Sequence, residues 1–177
     1  MWKFWKPQTE TADWLVVGLG NPGAEYADTR HNVGYMVIDQ LEGPEGLEGV
    51  VRMKPSTYMN SSGEDVAPRA RKLGVPPERI IVCHDELDLP AGTVRIKRGG
   101  NENGHNGLKS ITEHLGTRDY LRVRIGIGRP PQGTTVVDWV LSPAEGDISG
   151  QIALAAEAVR LITADGLAKA QNEIHSR

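Results

Sequence analysis

The sequence predicts a single-domain α/β protein, on three observations. Short apolar or alternating runs typical of strands alternate with amphipathic stretches typical of helices, which is the pattern of a layered α/β domain. The 177 residues are the length of one ordinary domain. No internal repeat or linker divides the chain. We therefore assign residues 14–177 to one domain and residues 1–13, which include Trp2, Phe4 and Trp5, to an N-terminal tail.

Five segments have the pattern of β-strands. Residues 14–17 and 80–83 are continuous apolar runs, as expected of strands buried on both faces. Residues 93–97 and 121–127 alternate in polarity, which favours strands, and 50–54 is a shorter strand that ends before a proline.

Five segments have helical periodicity: 33–41, 61–73, 106–115, 152–162 and 167–174. We expect Asp28 or Thr29 to cap the first helix. Pro68 is expected to interrupt or kink the second because proline lacks the N–H that a helix interior needs. The last two are predicted to be separated at Asp165-Gly166.

Composition narrows the class of protein. Hydrophobic residues make up 38% and charged residues 24%, which is typical of a globular protein. No apolar run is long enough to span a bilayer, and residues 1–14 lack the apolar core of a signal peptide. A single cysteine, Cys83, excludes an internal disulfide framework, so we expect a cytoplasmic protein.

Charge is unevenly distributed along the chain. The net charge is −3, yet residues 94–129 contain eight basic and only three acidic residues. This stretch could contact phosphates of a nucleic acid, or it could be an ordinary solvated surface. Charge alone leaves both interpretations open.

Three motifs suggest chemistry that their context disfavours. The run GLGNPG at 18–23 fits a dinucleotide-binding pattern, but Pro22 removes a donor and helical periodicity begins only at Val33. His84 and Asp85 resemble metal ligands, but neighbours on a strand point to opposite faces, and no second ligand cluster follows. The same alternation argues against Cys83 as a nucleophile paired with His84.

A general base acting on water remains as the chemistry to consider. His31 lies where a loop enters a helix, and Asp85 lies at the expected carboxyl end of a central strand, where α/β proteins place their sites. Asn21, Asn60 and Asn106 lie at loop junctions, where they could donate to a carbonyl or simply form turns and caps. The residues by themselves indicate only a hydrolytic or binding domain with a candidate His–Asp pair.

Several blocks in order resemble bacterial peptidyl-tRNA hydrolase. They are GLGNPG at 18–23, TRHNVG at 29–34, KPSTYMNSSG at 54–63, HDELDLP at 84–90, GHNGLKS at 104–110 and RVRIGIGRP at 122–130. The resemblance covers residues 15 to about 174. It implies a mixed, twisted β-sheet flanked by α-helices, acting as a monomer without metal or cofactor on the ester bond of peptidyl-tRNA.

The resemblance also implies roles for individual residues. His31 corresponds to the catalytic base, Asp85 to the carboxylate that orients it, and Asn21 to a residue that places water or the substrate carbonyl. The implied substrate-binding residues are Tyr26, Met59, Asn60, His105 and Asn106. Lys97 and Arg124 correspond to a basic pair that holds a tRNA phosphate at the acceptor end.

The chain departs from the family pattern between His31 and Asn60. This interval is shorter than usual, and a strand that normally precedes Val50 is missing, so we expect the sheet to lose a partner at that edge. Asn103 also replaces a usual glycine. These departures leave a second hypothesis, a non-catalytic RNA-binding relative of the same fold.

Overall fold

The computed structural model describes residues 10–43, 47–146 and 148–177. Trp2, Phe4 and Trp5 lie outside the described residues. The strands are β1 (Trp14–Gly18), β2 (Val50–Met53), β3 (Ile80–Glu86), β4 (Val94–Arg98) and β5 (Leu121–Gly126). The helices are α1 (Val33–Gln40), α2 (Ser62–Leu73), α3 (Asn106–Leu115), α4 (Val136–Val140), α5 (Ile148–Asp165) and α6 (Leu167–His175).

The strands form one mixed sheet in the order β2-β1-β3-β5-β4. The first three pairings are parallel, and β4 runs antiparallel to β5. The parallel strands therefore end at one edge, which the loops after β1, β3 and β5 share. This confirms the predicted mixed sheet flanked by helices.

Two apolar clusters fill the space between the sheet and its helices. On one face, α1, α5 and α6 cover side chains such as Val16, Ile81 and Val123. On the other face, α2 and α3 cover Leu15 and Val82. Alternation along buried strands sends neighbouring side chains to opposite layers. No helix in the described ranges has both the length and the apolar character needed to cross a bilayer.

Local details differ from the sequence predictions at three places. Neither Asp28 nor Thr29 caps α1 through its side chain; a 3-10 turn at Arg30–Asn32 precedes the helix instead. The helix α2 continues through Pro68. Pro68 is exposed there, so the carbonyl that loses its N–H partner is on the solvent side. The helix α5 begins at Ile148, earlier than its periodicity predicts.

The strand β2 forms an edge of the sheet. Within the described ranges no further strand pairs with it, as the shortened interval predicts. Three of its four residues are partly exposed. Arg52 of β2 donates to the carbonyl oxygens of Leu41 and Gly43, so a charged side chain covers part of this edge. A charge on an edge strand disfavours pairing with a second chain.

Candidate active site

The predicted site residues meet around a cavity of about 430 Å³ at the carboxyl edge of the parallel strands. Asn21 follows β1, and Asp85 lies near the end of β3. The cavity lining includes all eight residues predicted to act in catalysis or substrate binding: Asn21, Tyr26, His31, Met59, Asn60, Asp85, His105 and Asn106. Sequence positions far apart are thus brought into one pocket by the parallel topology.

Two histidines share the carboxylate of Asp85. Nδ1 of His31 lies 2.7 Å from Oδ2 of Asp85, and Nε2 of His105 lies 2.7 Å from Oδ1. Asp85 is buried, and the two rings are 5.1 Å apart between centroids. Both carboxylate oxygens are therefore occupied by an imidazole N–H.

The hydrogen bonds of His105 fix its proton on Nε2. Its Nδ1 accepts from the backbone N–H groups of Gly107 and Leu108, at 3.1 and 3.3 Å, and so caps α3. A nitrogen that accepts these bonds cannot carry a proton, so Nε2 donates to Asp85. His105 thus donates to Asp85 through Nε2 and caps α3 through Nδ1.

His31 has the opposite arrangement of its ring nitrogens. Because Asp85 accepts from Nδ1, Nε2 is the basic nitrogen, and it has no hydrogen-bond partner among the described residues. Nor is Nε2 one of the buried side-chain atoms that lack a partner in the described residues. It is therefore accessible from the cavity. This is the arrangement of a histidine that can take a proton from water.

The electrostatics of the pair favour this role. Burial opposes the charged form of His31, but the charge of Asp85 and its hydrogen bond outweigh burial and raise the pKa of His31. Burial likewise opposes ionisation of Asp85, yet His31 and His105 lower the pKa of that carboxyl well below its usual value. Asp85 is therefore an anion at neutral pH, which stabilises a protonated His31.

Asn21 is held with its amide nitrogen free. Its Oδ1 accepts from the backbone N–H of Met59 at 2.7 Å, so the amide orientation is set. Asn32 fixes the backbone of Asn21 from both sides, accepting from its N–H and donating to its carbonyl oxygen, both at 2.9 Å. The Nδ2 group of Asn21 has no partner in the described part of the chain and can donate to a substrate carbonyl or a water.

Close packing of glycines places His31 against the sheet. A Cβ on Gly34 of α1 would lie 2.3 Å from the carbonyl oxygen of Cys83, and one on Gly18 would lie 2.2 Å from the carbonyl oxygen of Gly34. The start of α1 therefore rests directly on the ends of β1 and β3. His31, just before this helix, reaches Asp85 because no side chain separates helix and sheet.

Asn60 and Asn106 are exposed at the cavity wall. Asn60 lies in a 3-10 turn before α2, and Asn106 is the first residue of α3. Unlike Asn21, neither side chain has a hydrogen bond within the described ranges, so their amides are available to a bound molecule.

The structure gives little support to the alternative chemistries. Burial raises the pKa of the Cys83 thiol to about 12, so it is not a thiolate nucleophile at neutral pH. No α-helix opens from the 18–23 motif, since α1 begins at Val33. Ligand atoms of His31, Asp85 and His105 lie within 4.8 Å of one another. Their 2.7 Å contacts, however, are hydrogen bonds between these same atoms.

The basic residues of the 94–129 stretch divide into those that are ion-paired or buried and those that remain free to bind an anion. Arg98, Arg118 and Arg129 pair with Asp119, Glu102 and Asp88, and Arg122 is buried. Lys97 of β4 and Arg124 of β5 lie outside the cavity lining and share one face of the sheet with Arg95. Burial and neighbouring arginines lower the pKa values of Lys97 and Arg124, although the Glu86 carboxylate opposes this effect at both. Such mutual repulsion of cations is relieved when an anion binds.

Sequence reasoning missed one wall of the cavity. The helix α4 contributes Val136, Val137 and Val140, and Val137 is 64% exposed. A threonine at 135 accepts from the N–H of Asp138, so the T-x-x-D pattern before an apolar run was the signal that could have identified this helix. Glu86, Tyr58 and Asn103 also line the cavity and were not assigned.

Asn103 adopts a left-handed backbone conformation, with φ of 51°. It is the one non-glycine residue with positive φ among those described. Glycine, which the family resemblance leads us to expect there, adopts this conformation readily, and asparagine is among the other side chains that tolerate it best.

Comparison with known proteins gives one consistent family. The family model described as Peptidyl-tRNA hydrolase matches residues 15–177. The chain is 60% identical to "Peptidyl-tRNA hydrolase 2" of Corynebacterium glutamicum, covering 97% of this chain and 92% of that protein. It is 50% identical to "Peptidyl-tRNA hydrolase" of Nocardia farcinica, covering 91% and 95%. The first alignment spans 189 positions, more than the 177 residues here, so that relative has residues without a counterpart in this chain.

A solved structure gives the same result for the fold. The crystal structure of peptidyl-tRNA hydrolase from Acinetobacter baumannii superposes with a TM-score of 0.81 at 36% identity, covering 93% of this chain and 95% of that one. The described sheet and helices are therefore those of a solved hydrolase.

Proposed function

Because the chain belongs to the peptidyl-tRNA hydrolase family, we propose that it hydrolyses the ester bond between a peptide and tRNA. The observation that carries the proposal is the free Nε2 of His31, whose Nδ1 is held by Asp85 at 2.7 Å in a cavity at the sheet edge. A free imidazole nitrogen beside a buried carboxylate is suited to activating water, and an ester needs no stronger nucleophile.

The chemistry proceeds by addition and elimination at the ester carbonyl. Nε2 of His31 takes a proton from water while the water oxygen bonds to the carbonyl carbon. The oxygen that becomes negative accepts from the Nδ2 group of Asn21. The tetrahedral intermediate then breaks its bond to the ribose oxygen, which receives the proton back from His31. The products are a tRNA with a free terminal hydroxyl and the peptide carboxylic acid, which releases its proton to solvent and becomes the carboxylate.

Surrounding residues bind the two halves of the substrate. The amides of Asn60 and Asn106 hold the peptide backbone, and Tyr26 and Met59 pack against it. His105 keeps Asp85 oriented by its Nε2–H bond. Lys97 and Arg124 take a phosphate of the acceptor end, outside the cavity, as their shared face and mutual repulsion favour.

The groups needed for the reaction are side chains and water, so we expect turnover to survive treatment with a chelator. We also expect the protein to act as a monomer in the cytoplasm.

Release of the acyl group from an N-blocked aminoacyl-tRNA tests the proposal. Wild-type protein is expected to release it, and a substrate with a free amino group serves as the comparison. Folded protein that binds tRNA without releasing the acyl group would instead establish the non-catalytic RNA-binding relative.

A further inference from the structure

Arg122 of β5 is a buried cation that lies outside the cavity lining. Only 1% of its surface is exposed, and it ranks first by volume among the fully buried side chains of the described chain. Its two terminal nitrogens donate to the carbonyl oxygens of Asn101 and Gly100, at 2.6 and 2.8 Å. A side chain this buried cannot reach a tRNA phosphate, although it belongs to the basic stretch of the sequence.

The buried charge has no carboxylate in direct contact. Among the described residues Arg122 forms no ion pair; it packs over the ring of Tyr120 at 4.6 Å, and its Nε is buried without a partner. Burying a guanidinium costs free energy of desolvation. Its retention indicates that its hydrogen bonds fix a local structure that an apolar side chain could not fix. Here those bonds go to backbone carbonyls of one loop.

That loop, residues 99–104, is poorly determined by its own sequence. Gly99, Gly100, Asn103 and Gly104 all have positive φ, at 68°, 95°, 51° and 78°. Glycines impose little conformational preference, so the shape of the loop has to come from contacts outside it. The planar fork of an arginine, with donors at fixed spacing, is suited to fixing two successive carbonyl groups.

The loop leads directly into the catalytic network. The backbone N–H of His105 donates to the carbonyl of Glu102 at 2.9 Å, and its Nε2 donates to Asp85 at 2.7 Å. Asn103 and Gly104 form part of the cavity wall. A shift of the loop would therefore move a donor of Asp85 and one wall of the pocket together.

We propose that Arg122 is a positioning residue for the hydrolysis, holding the 99–104 loop so that His105 reaches Asp85. The inference rests on the proposed function, because it concerns the rate of that reaction. It separates Arg122 from Lys97 and Arg124, whose proposed contact is with the tRNA phosphate. The same basic stretch then serves two purposes, one inside the protein and one on its surface.

Steady-state kinetics on N-blocked aminoacyl-tRNA separate these purposes. Arg122→Lys keeps the charge and loses the fork, and Arg122→Gln keeps one planar donor and loses the charge. Each is expected to lower kcat by about tenfold or more, since small displacements in an active site are costly. KM and its salt dependence should stay near wild-type values. Arg98→Lys, in an exposed ion pair on β4, is the matched control and should change neither.

For Lys97 and Arg124 we expect the opposite pattern, a change in KM rather than in kcat. Lys97→Met and Arg124→Met should raise KM and weaken its salt dependence, with kcat at saturation little changed. If Arg122→Lys behaves like these two variants, Arg122 binds phosphate and the inference is wrong. Unchanged kcat in both folded Arg122 variants would also overturn it.

A double-mutant cycle tests whether Arg122 acts through His105. In a His105→Asn background, Arg122→Lys should lower kcat by less than about twofold further, because coupled residues are not additive. Full additivity would contradict the route through His105. Thermal unfolding of each variant identifies any that fail to fold, and wild-type turnover is measured alongside. Absent wild-type turnover refutes the proposed function, whereas wild-type turnover with additive effects refutes only this inference.

Discussion

At the scale of single residues, the carboxylate of Asp85 accepts hydrogen bonds from two histidines that have different roles. His105 donates from Nε2 and caps a helix with Nδ1, while His31 donates from Nδ1 and leaves Nε2 free. The sequence predicts that His31 and Asp85 belong to the site. It cannot predict which ring nitrogen carries the proton, because that depends on hydrogen-bond partners up to 54 positions away along the chain.

The pH dependence of the reaction should report the charge of Asp85. The neutral form of His31 is the base, and Asp85 raises its pKa, so kcat/KM of the wild type should fall as pH drops through this raised value. In Asp85→Asn burial remains without the opposing charge, so the acidic limb should move to lower pH. The plateau should also fall by about 10²-fold or more, since an amide can favour the wrong tautomer. An acidic limb that stays at the same pH in Asp85→Asn would contradict the conclusion that Asp85 raises the pKa of His31.

Variants of His105 can separate its capping role from its bond to Asp85. Asparagine retains an oxygen that caps a helix, whereas alanine does not. We expect His105→Ala to lose about 1 kcal/mol of unfolding free energy and His105→Asn to lose clearly less. Both should lower kcat, since both lose the N–H to Asp85. Urea unfolding checks the stabilities, and equal losses in the two variants would argue against the cap.

At the scale of elements, strand and helix patterns predicted most of the architecture. In the described parts of the chain, all five strands and five of the six α-helices were found from periodicity, most with ends shifted by a few residues. The short α4 was missed because five residues, Val136–Val140, are too few to show a period. Pro68 was expected to disturb α2 because sequence does not show that it faces solvent.

The contact between α1 and the sheet should be intolerant of any side chain at Gly34. A Cβ there would lie 2.3 Å from the Cys83 carbonyl oxygen and 2.5 Å from the Leu19 nitrogen, both backbone atoms. Gly34→Ala is expected to cost roughly 1–3 kcal/mol of stability, or more, and to lower kcat by moving His31.

A helical glycine with free space around it provides the comparison. Nothing lies within 4 Å of a Cβ built on Gly150 of α5. Gly150→Ala should therefore be neutral or stabilising by up to about 1 kcal/mol, with unchanged kcat. Equal effects of the two substitutions on thermal unfolding and kcat would contradict the close-approach argument.

At the scale of the whole molecule, the site depends on the order of the strands. Parallel β1 and β3 bring Asn21 and Asp85 to one edge, and the loop after β4 brings His105. Sequence blocks predicted which residues gather there. They could not show that Arg122 is buried while Lys97 and Arg124, on the same face of the sheet, are partly exposed, since all three belong to one basic stretch.

Stability should decrease on acidification because of His84. Burial above all, together with the neighbouring His105 and Arg122, lowers the pKa of His84 from 6.5 to about 3, despite the opposing Asp85 contacts. Between these values the unfolded chain binds a proton that the folded one does not. The free energy of unfolding should therefore fall with decreasing pH, by up to about 1.4 kcal/mol per pH unit from this residue. The raised pKa of His31 opposes this trend near neutrality.

Replacing His84 by asparagine tests this origin. The amide can still donate to the Asp85 carbonyl, which His84 contacts through Nδ1 at 2.7 Å, but it does not titrate. Urea unfolding at pH 7 and pH 4.5 should show a smaller difference in His84→Asn than in the wild type. An undiminished difference would assign the acid sensitivity to other groups.

The central claim is that Nε2 of His31 activates the water that cleaves the ester. Its most direct test is turnover of N-blocked aminoacyl-tRNA by His31→Ala at saturating substrate, with tRNA affinity measured on the same preparation. We predict that turnover falls by about 10²–10⁴-fold while affinity is retained. A folded His31→Ala protein that turns over substrate at nearly the wild-type rate would contradict the account.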